Sequence, residues 1–87
     1  MDNVELLGEL SSQFGVSGFE GEVREWICKN IREWVDAIEI DVLGNLMARI
    51  NFDKDFVLML DAYMDETGVM VSYVEENGFF RFTPIGK

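Results

Sequence analysis

The run Phe56-Val57-Leu58-Met59-Leu60 is the feature that most limits the folds open to this chain. Five consecutive apolar residues of strand length put side chains on both faces of a sheet, so both faces need cover. Only two upstream segments have the spacing of a covering helix. In the first, predicted over Asp2–Gln13, Val4, Leu7, Leu10 and Phe14 recur three or four residues apart, Asp2 and Glu5 have the spacing of a capping box, and Gly15 ends the helix. The second is predicted to begin near Ser17, with Glu20 three residues on as its box partner. Its apolar face would hold Val23, Trp26, Ile27, Ile31, Trp34 and Val35, with Glu25 and Lys29 paired at i,i+4 on the other side. Two helices cover one face of a sheet, and nothing after the last predicted strand supplies a third. The set of elements is expected to be short by one layer.

The hydrophobic period changes to two after Asp36. Ile38, Ile40 and Val42 alternate with Glu39 and Asp41, Gly44-Asn45 is turn chemistry, and Leu46–Ile50 reads as the returning arm of a hairpin. Asp53-Lys54-Asp55 makes a polar break before the apolar run. Residues 69–75 and the segment Phe79-Phe80-Arg81-Phe82, joined by the turn signal Glu76-Asn77-Gly78, complete the inventory. The expectation is an α/β chain, one partial domain over residues 1–87, with two N-terminal helices followed by about five strands in a mixed sheet.

Composition excludes several functions. The chain is 48% hydrophobic with one proline, enough apolar surface to argue against disorder. No apolar run nears the ~20 residues of a membrane span, and Met1-Asp2-Asn3 is not a basic leader, so a soluble, cytoplasmic protein is expected. Seventeen acidic against seven basic residues leave a net charge of −10, a field that repels phosphate backbones and anionic membranes alike. Neither nucleic acid nor membrane is an expected partner. The lone Cys28 cannot form an internal disulfide, which suits a reducing compartment. With no histidine, the chain by itself builds no His-based triad and no His-ligated zinc site.

Chemistry, if present, belongs at the carboxyl end of the apolar run, where α/β sheets gather functional groups. Asp61, Asp65 and Glu66 fall there within six residues. They read either as oxygen ligands or an acid–base pair, or as an acidic strand end in an acidic chain; no calcium-loop spacing favours the first. Trp26 and Trp34 read as core, and Cys28 as a small buried apolar group. Gly15, Gly18 and Gly44 read as positions needing unusual backbone angles. Phe79, Phe80 and Phe82 put aromatics on both faces of one strand, as a buried strand or, the preferred reading, an association edge.

Four stretches together resemble one family: Phe14-Gly-Val-Ser-Gly-Phe-Glu20, Val42-Leu-Gly-Asn-Leu46, Ala62-Tyr-Met-Asp-Glu66 with Gly68, and Arg81-Phe-Thr-Pro-Ile-Gly86. In order and spacing they are similar to the N-terminal part of the glutamyl and tetrahedral aminopeptidases, two-metal exopeptidases some of which carry cellulase or endoglucanase labels. The resemblance covers residues 4–86 but about a quarter of a typical member. It implies the opening of a three-layer α/β/α catalytic domain, with two divalent metals, typically zinc or cobalt.

Carried over position by position, the resemblance places Asp65 at the aspartate that supports the metal site through a ligand. Tyr63 stands where the family has a metal-binding histidine, and a phenol with a pKa near ~10 is a poor substitute for imidazole. Packing at the strand end, a hydrogen bond to Asp65 and a ligand-removing change are all open readings of Tyr63. The family's other ligands and its general base have no counterpart here. The expectation is therefore a truncated aminopeptidase homologue, inactive by itself and with no cofactor of its own. The alternative is an interaction module, a homo-oligomer or a partner of a full-length peptidase chain. A third option, complementation by a second chain, is weakened by Tyr63.

Overall fold

The computed structural model describes residues 2–51 and 53–86. Helix α1 spans Asn3–Ser11 and helix α2 Gly21–Ile31, followed by a 3-10 turn over Arg32–Trp34. Strands β1 (Ala37–Ile40) and β2 (Leu46–Arg49) pair antiparallel, as do β3 (Gly68–Val74) and β4 (Phe80–Ile85). The chain is thus a small mixed α/β unit. Its described strands number four, in two separate two-stranded sheets, not about five in one.

The missing strand is the apolar run itself. Phe56–Leu60 has no ladder partner among the described residues, and all five side chains are largely exposed. An apolar run becomes a buried strand only when neighbours pair with its backbone and cover both faces. Here neither hairpin pairs with it.

The first helix starts as its sequence predicts. The Asp2 carboxylate accepts from the Glu5 amide at 2.8 Å, which satisfies one of the free amides of the first turn. At the second helix the expected cap is not made. Helix α2 begins at Gly21, four residues after Ser17, and Glu20 Oε1 accepts from the Gly18 amide at 2.6 Å. The Ser17 hydroxyl is engaged elsewhere. At the far end the α-helix gives way to the 3-10 turn, which rotates Trp34 off the helix face and leaves it 73% exposed. Trp26 and Cys28 are half-buried rather than core. No Glu25–Lys29 ion pair forms; the described ion pairs are Glu39–Arg49 and Glu75–Arg81, both on hairpins.

Strand β1 ends two residues before Val42 because Asp41 organises the loop. Its carboxylate accepts from the Leu43 amide (3.0 Å), the Asn45 amide (2.9 Å) and the Asn45 side chain (2.8 Å). Gly44 takes the left-handed angle this turn needs, with φ at 89°, and its carbonyl accepts from Arg24 of α2 at 3.0 Å. These bonds, the Asn45 side chain first, lower the Asp41 pKa below the ordinary aspartate value. A depressed carboxyl pKa stabilises the folded turn above the unfolded-state value and loses that contribution as pH falls through the folded one. The protection factors of the Leu43 and Asn45 amides are therefore expected to hold at neutral pH and to fall on acidification below about pH 4. An Asp41→Ala chain that shows equal protection would refute the assignment.

Burial is concentrated at one place. Val23 on α2, 4% exposed, is the buried hydrophobic side chain of the described residues. The total surface is 7714 Å², against about 5,200 Å² for a compact 10.0 kDa monomer. The Cα radius of gyration is 17.2 Å, where about 12 Å would suit a globule of this length.

Candidate functional site

Three distant segments meet near Gly15 and Ser17. The loop after α1 runs beside the segment after the apolar run as an isolated parallel bridge, Val16 to Glu66. The Glu66 amide donates to the Gly15 carbonyl at 2.8 Å, and the Ser17 amide to the Glu66 carbonyl at 3.2 Å. Absence of side chains makes this approach possible. A Cβ on Gly15 would lie 2.9 Å from Val23 Cγ1 and 3.5 Å from the Met64 carbonyl oxygen; one on Gly68 would lie 2.5 Å from Val16 Cγ2. Gly15 is thus required for close approach and not for an unusual backbone angle, whereas Gly18, with φ at 86°, meets the sequence expectation. The third segment is the end of β4. Pairing of Gly68 with Ile85 brings Gly86, in the left-handed region at φ 83°, beside Ser17 and Thr67.

The side chain held at this junction is Asp65. It is half-buried, and its Oδ2 accepts from the Ser17 hydroxyl at 2.5 Å across 48 residues of sequence. That length is at the short end of the range for a hydroxyl donating to a carboxylate. Tyr63, two residues earlier, is 90% exposed, so it neither packs at the strand end nor bonds to Asp65. Asp61 and Glu66 are exposed, and among the described residues no three metal-ligating side chains converge. The donors present do not by themselves make a two-metal site: one candidate carboxylate oxygen is taken by a serine, and a phenol occupies the neighbouring position.

Sequence reading placed Asp65 and Tyr63 together and passed over Ser17 and Gly86 as partners. Ser17 has the local signature of a helix cap, and no local signal connects it to a carboxylate 48 residues away. The association residues stand as follows: Phe80 and Phe82 are on β4 and exposed, and Phe79 lies just before it, its carbonyl accepting from the Glu75 amide at 2.8 Å.

The family model of the M42 glutamyl aminopeptidases matches residues 44–87. The chain is 46% identical over 85 residues to a putative aminopeptidase of Acetivibrio thermocellus, covering 98% of this chain and 26% of that protein. This chain belongs to the M42 glutamyl aminopeptidase family. It is also 34% identical to the glutamyl aminopeptidase of Lactococcus lactis, over 98% of this chain and 24% of the relative. A crystal structure titled as an endoglucanase from Thermotoga maritima superposes with a TM-score of 0.79 at 45% identity, over 91% of this chain and 26% of that one. The chain spans about a quarter of the length of the M42 relatives it matches. No described helix is long and apolar enough to cross a membrane.

Proposed function

We propose that these 87 residues form the opening section of an α/β/α M42 catalytic domain and, as a polypeptide, do not hydrolyse peptides. The observation that carries this reading is the pair Tyr63 and Asp65. Asp65, which the resemblance puts at the supporting position, accepts from Ser17, while Tyr63, where the family has imidazole, is a solvent-exposed phenol. Without a metal pair there is neither an activated water nor a polarised scissile carbonyl, the two contributions that make such sites hydrolytic.

Incubated with zinc or cobalt, the polypeptide is expected to release no p-nitroaniline from leucyl- or glutamyl-p-nitroanilide above a chelator-treated control. Tyr63→His is expected to leave that rate at background, since one imidazole does not complete a two-metal site. Metal-dependent turnover by the unmodified polypeptide would overturn the reading.

A second reading, association through the sheet surfaces, is supported by Phe80 and Phe82. Two aromatics on one face of a strand lie uncovered beside a ribbon with free edges. On this reading the partner is a second copy or a full-length M42 chain, in a cytoplasmic setting.

A further inference from the structure

We propose that Ser17 is a positioning residue whose hydroxyl fixes the orientation of the Asp65 carboxylate. Three observations converge on it. The Ser17 Oγ donates to Asp65 Oδ2 at 2.5 Å, and it is the hydrogen-bond donor to that carboxylate among the described residues. The backbone on both sides is held independently, because the bridge bonds of Gly15 and Ser17 to Glu66 set the distance between the two segments without using either side chain. Gly86 leaves the space the hydroxyl occupies: a Cβ there would stand 2.9 Å from Ser17 Oγ.

The arrangement separates the roles of the two carboxylate oxygens. Oδ2 is committed to the serine, and Oδ1 is left to accept from whatever donor stands at or near position 63. A carboxylate that supports a neighbouring ligand must present one oxygen in a fixed direction, and an outer hydrogen bond holds it there. The role of this bond in orienting position 63 rests on the reading of Tyr63 and Asp65 given above; the tie between Ser17 and Asp65 does not.

The test uses protein labelled with ¹³C at serine and aspartate, studied by solid-state NMR so that monomer and assembly are read alike. In the natural sequence a short Ser17 Cβ–Asp65 Cγ distance and a single Asp65 χ1 rotamer are expected. Ser17→Ala is expected to spread Asp65 over two or more rotamers while the Glu66 amide, held by the bridge, keeps its protection. Ser17→Thr keeps the hydroxyl and is expected to restore the single rotamer. An Asp65 that holds one rotamer in Ser17→Ala with the bridge intact overturns the proposal, and so does failure of Ser17→Thr to restore it.

The companion measurement is the ¹⁵N tautomer ratio of the imidazole introduced by Tyr63→His. If Asp65→Asn shifts that ratio and Ser17→Ala shifts it the same way, the serine acts on position 63 through the aspartate. If the ratio ignores Asp65→Asn while Ser17→Ala still frees the carboxylate, the serine–aspartate tie stands and the reading of position 63 falls.

Discussion

Replacing Val23 by aspartate is expected to abolish the junction between the α1–α2 loop, the 64–68 segment and the end of β4. Val23 is the buried side chain beside that junction: a Cβ on Gly15 would lie 2.9 Å from its Cγ1, and the Gly15 carbonyl accepts from the Glu66 amide. Truncation to alanine removes two buried methyl groups and is expected to cost about 1–3 kcal/mol. An aspartate adds a carboxylate at a buried position, a cost of several kcal/mol when the charge is unpaired. Small domains have few kcal/mol to lose. Protection of the Glu66 amide in hydrogen exchange is therefore expected to fall about tenfold in Val23→Ala and to vanish in Val23→Asp. The β3–β4 hairpin, which has its own ladder, is expected to keep its exchange pattern. Retained Glu66 protection in Val23→Asp would show that the bridge stands without this packing.

The second large effect concerns association. At tens of micromolar the polypeptide is expected to scatter light as a species heavier than its 10.0 kDa monomer. Its surface exceeds that of a compact monomer by roughly 2,500 Å², several times the ~800 Å² each partner gives to a standard interface. The opposing term is the net charge of −10, whose repulsion is long-ranged and screened by salt. Raising ionic strength should thus strengthen association, where an interface held by ion pairs would weaken.

Lysines at Phe80 and Phe82 make the test specific. Each phenylalanine is worth about 2 kcal/mol when buried, so the double variant should move the association midpoint at least tenfold upward in concentration. The same change brings the net charge from −10 to −8, which by itself favours association, so a loss is traceable to the aromatic face. A constant 10.0 kDa mass across a hundredfold concentration range would remove this reading.

Much of the local structure was legible in the sequence. The Asp2–Glu5 cap, the turn at Glu76-Asn77-Gly78 and the two hairpins involve residues within a few positions of one another, and their geometry depends on backbone preferences that short segments already express. The four family stretches were also legible, and Asp65 and Tyr63 with them. Ser17 was misread because a serine followed by glutamate three residues on has the same local pattern whether it caps a helix or not. The choice was made by a carboxylate 48 residues away, whose charge-assisted bond outweighs a neutral cap.

Sequence alone therefore determined which segments are helix, hairpin and turn, and to which family they belong. Tertiary structure alone decided three further things: the apolar run Phe56–Leu60 lies exposed without a ladder partner among the described residues, Gly15 and Gly68 serve close approach, and Ser17 faces Asp65. The physical reason is common to them. Helical period and turn chemistry are properties of neighbours along the chain, whereas burial, strand pairing and a long-range hydrogen bond depend on which distant surfaces come together.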